Sequence, residues 1–164
     1  MSIRTDLLRL PEAAWANETV FFRPVATEDD LIYAGSECRL RDDQSDLVNP
    51  VWFTFGRAYL APEDHVPCVI CTAAGERVGF LDFYNWRSGE PAYAWGYFID
   101  VRQQGKGYGK AAARLAVRLL KAANPAVPLR LAVEPENQKA QRLYHTLGFR
   151  LAPAHDGDDL IFAL

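Results

Sequence analysis

Three glycines at alternate positions, Gly105, Gly107 and Gly109, stand between an aromatic and aliphatic run at 92–101 and a stretch at 110–123 without proline or glycine. In that stretch Ala113, Ala116, Val117 and Leu120 recur at helical spacing, so the chain reads strand, glycine loop, helix. Glycines this dense let the backbone turn left-handed and approach a ligand closely. Successive N–H groups then converge at the positive end of the helix, a ready site for an anion. Lys106 and Lys110 add charge, so a pyrophosphate is the natural guest. A hydrogen bond to a charged group is worth about 1.5–3 kcal/mol, and four or five of them anchor a phosphorylated molecule. Two common phosphate loops are excluded by spacing. The pattern G-x-x-x-x-G-K-[ST] fails because Gln104 stands five residues before Gly109 and Ala111 lacks a hydroxyl. The pattern G-x-G-x-x-G fails because Lys110 occupies the place of its third glycine.

With 164 residues, 49% of them hydrophobic and 24% charged, the chain has the make-up of one globular domain that needs no disulfide staples. The opening MSIRTDLLRLPEAAW carries acids and a proline in its apolar run, so no signal peptide is expected. No apolar run approaches the roughly eighteen residues of a membrane span, so no membrane partner is expected. A pI near 5.6 does not suit a nucleic-acid-binding domain. Three cysteines, Cys38, Cys68 and Cys71, form an odd and sparse set that suits a reducing, cytoplasmic compartment. Cys68-x-x-Cys71 lies in a strand-like run where residues three apart face opposite ways, which argues against a metal or redox pair. Charge is unevenly spread. Residues 25–66 hold nine acids against three arginines, whereas residues 101–150 hold ten lysines and arginines against Glu134 and Glu136. Such asymmetry fits two partners of opposite sign, or two solvated faces.

Hydrophobic patterning predicts strands at 19–25, 66–72, 77–86, 92–101, 129–133 and 160–164. Thr27 before Glu28, Asp29 and Asp30 opens a helix. Residues 45–60 read as helix or loop, broken at Pro50. A second helix runs through ENQKAQRLYHTLGF and stops at Gly148. The order describes an α+β domain, a mixed and mostly antiparallel sheet flanked by helices. Residues 1–18 are an N-terminal extension to a domain at 19–164, and their apolar LLRL and AAW suit packing on a neighbour.

Gln104-x-x-Gly107-x-Gly109 resembles the Q/R-x-x-G-x-G/A loop of the GCN5-related N-acetyltransferases, the GNAT superfamily. Tyr97-Phe98-Ile99 resembles the family's fourth strand, and N-x-x-A-x-x-L-Y-x-x-x-G-F from Asn137 resembles its cofactor-contacting helix. The resemblance implies the GNAT fold, acetyl-CoA as cosubstrate with no metal, an amine acceptor and, at family level, a homodimer. It implies cofactor contacts from Tyr97, Phe98, Ile99, Gln104, Gly105, Lys106, Gly107, Tyr108, Gly109, Lys110, Asn137, Ala140 and Tyr144. The Ile99 N–H becomes the candidate oxyanion donor. Tyr144 shares a helical stripe with Ala140, Leu143 and Leu147, the place of a core aromatic, yet the motif makes it the acid for the leaving thiolate. Asn137 is both an N-cap and a cofactor contact.

An attacking amine must lose a proton, and Glu134, ending the 129–134 strand, is the leading carboxylate ahead of Asp82 and Asp100. Within the superfamily the chain looks most like bacterial spermine and spermidine acetyltransferases, which makes a polyamine the expected acceptor. Gly96, where that subgroup tends to carry arginine, and Ala132, where enzymes acting on ribosomal protein N-termini place glutamate, depart from those patterns. A protein, peptide or other small-molecule amine, or a CoA-binding sensor without turnover, are the alternatives.

Overall fold

β1 (Val20–Pro24), β2 (His65–Thr72), β3 (Arg77–Asn85) and β4 (Tyr93–Ile99) form an antiparallel sheet in that order. A second antiparallel sheet runs β5 (Arg130–Val133), β7 (Asp159–Ala163), β6 (Arg150–Asp156). The computed structural model describes residues 2–164. The two sheets touch through one parallel bridge, Tyr93 to Leu129, and β4 and β5 then part company. Among the described residues, five α-helices flank them: α1 (Ile3–Leu8), α2 (Glu28–Ile32), α3 (Val51–Leu60), α4 (Tyr108–Ala123) and α5 (Gln138–Thr146). This is the mixed α+β arrangement that the patterning predicts. Among the described residues, no helix is long and apolar enough to cross a membrane.

Strand alternation divides the core between the two faces of the first sheet. Cys68, Ile70, Leu81, Phe83 and Trp95 point into the larger cluster, packed with Leu115, Ala116 and Leu119 of α4. Val69, Cys71, Phe80 and Phe98 point the other way, toward Tyr33, Ala34 and Cys38. Cys68 and Cys71 are therefore buried free thiols in different clusters.

Three features refine the sequence reading. Ile3, Leu7 and Trp15 are buried in the larger cluster, and Asp6 accepts hydrogen bonds from Tyr93 Oη and from Asn124 Nδ2. Ile3, Leu7 and Trp15, with Leu10 and Ala14 partly buried against them, thus pack on the chain's own core, while Leu8 stays exposed. Helix α3 starts at Val51, directly after Pro50, and the preceding 42–47 is a 3-10 segment. Strand β6 escapes the patterning. It is a sheet edge, mostly exposed, with Pro153 inside it and a register shift between Leu151 and His155, so it needs neither alternation nor every backbone donor.

Candidate active site

The parting of β4 and β5 exposes one edge of β4. Asp100 N–H donates to Val78 O at 2.9 Å, so alternation along the ladder turns the Phe98 and Gly96 amides toward β3. The amides of Tyr93, Trp95, Tyr97 and Ile99 then point toward β5. Tyr93 N–H reaches Pro128 O at 2.9 Å, where the sheets still meet. Beyond that point the row faces a cavity of about 520 Å³, a volume suited to a small-molecule ligand.

At the end of this row lies the glycine loop. Gly105 (φ +78°) and Gly107 (φ +88°) are left-handed, and Gly107 is the N-cap of α4. Only glycine adopts these angles without strain, and α4 has no side-chain cap, so its first N–H groups stay open. Tyr97 Oη donates to Gly109 O at 3.0 Å and ties β4 to the first turn of α4. Gln104 Nε2 donates to Ile99 O at 3.0 Å and to Gln44 Oε1 at 2.9 Å.

The opposite wall comes from β5 and α5. Asn137 Oδ1 accepts from Ala140 N–H at 3.1 Å, capping α5, and Asn137 also lines the cavity, so both of its expected roles are compatible. Tyr144 packs edge-on against Trp95 and tilts against Phe149, yet it too lines the cavity. Burial raises its pKa well above that of a free phenol, which keeps it a proton donor. Glu134 lines the same wall, and burial, reinforced by Asp159 and Glu136, raises its carboxyl above the ordinary range.

Of the residues expected at the site, Tyr97, Phe98, Ile99, Gln104, Gly105, Gly107, Tyr108, Gly109, Lys110, Glu134, Asn137, Ala140 and Tyr144 border this one cavity. Lys106 does not; its ammonium is exposed and donates to Gln103 Oε1 at 2.8 Å. Sequence reasoning missed the wall built by Leu40, Gln44, Leu47 and Val48, together with Trp95 and Gly96. The apolar members at 40–48 are interleaved with Asp42, Asp43 and Asp46, so their common face is masked.

The two further carboxylates differ. Asp100 is buried, caps the turn after β4 and is gripped by Arg102 at 3.0 and 2.5 Å. These hydrogen bonds hold its carboxyl below the usual range, so it is a structural anion rather than a base. Asp82 is 7% exposed, pairs with His65 Nδ1 at 2.7 Å, and is pushed above the usual range by burial, with His65 opposing. Among the described residues, no three His, Cys, Asp or Glu side chains group as a metal site.

The acetyltransferase (GNAT) family model matches residues 27–149. No curated protein matches the sequence. An acetyltransferase from Agrobacterium tumefaciens shares the fold at a TM-score of 0.70 and 21% identity, covering 91% of this chain and 92% of the other. Spermidine N-acetyltransferase from Vibrio cholerae, solved with CoA and spermine, gives 0.68 at 17% identity, over 90% and 94% of the two chains. An aminoglycoside acetyltransferase solved with coenzyme A gives 0.68 at 22%, over 88% and 92%. With the family's match spanning the cleft, the glycine loop and α5, the chain belongs to the GNAT family of acetyltransferases.

Proposed function

We propose that the chain transfers acetyl from acetyl-CoA to a primary amine by direct attack in the cleft between β4 and β5. The observation that carries this is the open amide row of β4, running from Trp95 to Ile99 and ending at the left-handed glycine loop. The loop amides from Gly105 to Lys110 and the start of α4 would hold the pyrophosphate, with Gln104 and Lys110 beside them. The β4 edge pairs a peptide-like arm, and α5 closes the other side through Asn137 and Ala140. Bound acetyl-CoA supplies an activated acyl carbon.

The chain's own residues then divide the proton and charge work. Ile99 N–H donates to the oxyanion that forms when the amine adds; one such donor is typically worth about 2.7–4 kcal/mol. An ammonium sheds two protons on its way to an amide, the first of them to solvent before the neutral amine attacks. Glu134, with its raised pKa, receives the one released as the C–N bond forms. Tyr144 gives its hydroxyl proton to the departing thiolate and is restored from solvent. No covalent acyl-enzyme is needed, because amine and thioester share one cavity.

The acceptor we favour is a polyamine such as spermidine or spermine. Glu134, Glu136, Asp156, Asp158 and Asp159 gather beside the β5 wall, where burial, then Asp159 and Glu136, raise Glu134, and burial, then Asp156, Asp158 and Glu136, raise Asp159. A peptide or another small-molecule amine is the second reading, since the aminoglycoside enzyme shares the fold equally well. The buried free thiols fit a reducing, cytoplasmic setting.

A panel of spermidine, spermine, kanamycin, a basic peptide and a simple monoamine, assayed for CoA release, tests this. Release with at least one amine is expected, greatest with a polyamine. Tight acetyl-CoA binding without CoA release for any amine overturns catalysis and leaves a binding protein.

A further inference from the structure

Helix α3 carries two apolar faces, and the chain covers only one of them. Val51, Thr54, Phe55 and Ala58 share the side turned to the first sheet, where Phe55 tilts against Phe80. Trp52, Phe53, Gly56, Tyr59 and Leu60 share the other, a stripe about 120° wide with Gly56 near its midline. Trp52 is 74% exposed, Tyr59 85% and Leu60 81%. A surface helix ordinarily turns charged and polar residues to water. The one charged residue of α3, Arg57, instead lies over the rings of Phe53 and Tyr84 at 5.9 and 5.6 Å. Leu31 and Ile32 of α2 extend the patch across a groove of about 440 Å³, which they line with Cys38, Trp52 and Phe55.

Size argues that this face is covered. With roughly 200 Å² for a large apolar side chain, Trp52, Phe53, Tyr59, Leu60, Leu31 and Ile32 leave about 750 Å² in water. The largest apolar patch of a typical monomer is about 300–600 Å². A stable protein interface buries about 800 Å² on each partner. The patch is therefore larger than a free surface keeps and the right size for half an interface.

Its shape and charge favour a second copy of the chain. A two-fold pair sets the same patch against itself, so the patch must offer both a knob and a hole and must not oppose like charges. Trp52 and Tyr59 are the knobs on either side of Gly56, and the groove beside α2 is the hole. The stripe bears no charge, so it repels no copy of itself and gives a charged partner nothing to pair with. Gly56 supplies the independent observation. Glycine inside a helix weakens it, and here the fold gives no reason for one, because a Cβ built at Gly56 meets nothing within 4 Å. A second helix crossing closely at that point does give one.

We infer that the chain pairs with a second copy through α3, the two helices crossing at Gly56, with Trp52 and Tyr59 of each copy seated on the α2–α3 face of the other. The pairing needs no acetyl-CoA, so it stands or falls separately from the acetyltransferase reading.

Sedimentation velocity and light scattering on the full chain, from about 1 to 100 µM, test it. A dimer is expected within that range, as interfaces of this size hold at micromolar concentration or tighter. Tryptophan emission gives a local readout, since Trp15, Trp86 and Trp95 are buried and Trp52 alone of the four stands in water. The emission should move to shorter wavelength as concentration rises through the dimer transition. Gly56→Arg sets a charge on the midline, where the chain leaves it room. It should fold, weaken dimerisation at least about 100-fold and abolish the emission shift. Ala122→Arg, on the exposed side of α4, adds the same charge elsewhere and should dimerise as the wild type does. A wild type that is monomeric at 100 µM overturns the inference and leaves the face to a different partner. A folded Gly56→Arg that dimerises as tightly as the wild type puts the pair on another face and overturns it equally. Should Gly56→Arg fail to fold, Tyr59→Glu, at a side chain almost wholly in water, decides in the same way.

Discussion

Tyr144 meets two demands at a single position. Its ring is 8% exposed and packs with Trp95, Phe149 and Phe162, so it holds α5 to the sheet. It also lines the cavity, and in the proposed reaction its phenol is the acid for the departing thiolate. Removing only the hydroxyl separates the two roles, because Tyr144→Phe keeps the ring contacts. With acid catalysis typically contributing about 10²–10⁴-fold, kcat should fall by that range when chemistry limits the rate. Acetyl-CoA affinity, measured by calorimetry, should change by less than about twofold. A kcat near the wild-type value, with chemistry shown to be limiting, reduces Tyr144 to packing. The carboxylates teach the same lesson at residue scale. Asp82 and Asp100 are both buried acids in or next to the first sheet, and the sequence treats them alike. Burial raises Asp82 above the ordinary value against the opposing pull of His65, whereas the hydrogen bonds from Arg102 hold Asp100 below it despite its burial.

Elements were legible where one local rule decides their form. The helix after the glycine loop has an unbroken apolar stripe, and the loop has glycines where the backbone turns left-handed, so both follow from spacing alone. The Gly148 stop is the same kind of signal, with φ +95°. Strand β6 was not legible, because an edge strand is specified by its partner β7 rather than by its own pattern. The cavity wall at 40–48 was hidden for a related reason: its apolar side chains find their surface only once β4 and β5 have parted. The glycine loop gives the element-scale prediction. A Cβ at Gly107 meets nothing within 4 Å, so a larger residue does not clash with the fold. Valine there must instead leave φ +88°, which re-aims the loop amides away from a common centre. Gly107→Val should therefore weaken acetyl-CoA binding at least about tenfold while shifting the melting temperature little. Unchanged affinity in the folded variant overturns the pyrophosphate assignment.

Across the whole molecule the charge asymmetry is resolved by where the acids fall. Asp42, Asp43 and Asp46 belong to the segment whose Gln44 holds Gln104, so they stand by the glycine loop. Asp30 is not a solvated acid at all, being fully buried between Arg23 at 2.6 Å and Arg77 at 2.9 Å. The acids that neighbour the β5 wall are Glu136 and those of the β6–β7 turn, Asp156, Asp158 and Asp159, although the sequence balance over 25–66 points elsewhere. A polyamine with its reacting nitrogen in the cavity can place its remote charges on this group. Each exposed pair is worth at most about 1 kcal/mol, so several must act together to give a tenfold preference over a monoamine of similar length. Attraction of this kind is screened beyond roughly 8–10 Å near physiological salt, so the preference should shrink as ionic strength rises. Replacing Asp156, Asp158 and Asp159 together by Asn should raise the spermidine KM and leave acetyl-CoA affinity unchanged. The matching change at Asp42, Asp43 and Asp46 should leave the spermidine KM nearly unaltered, and by removing negative charge beside the glycine loop should strengthen acetyl-CoA binding. Equal kcat/KM for spermidine and the monoamine at low salt removes the polyamine as acceptor and makes an amine with a single cation the better fit to the cleft.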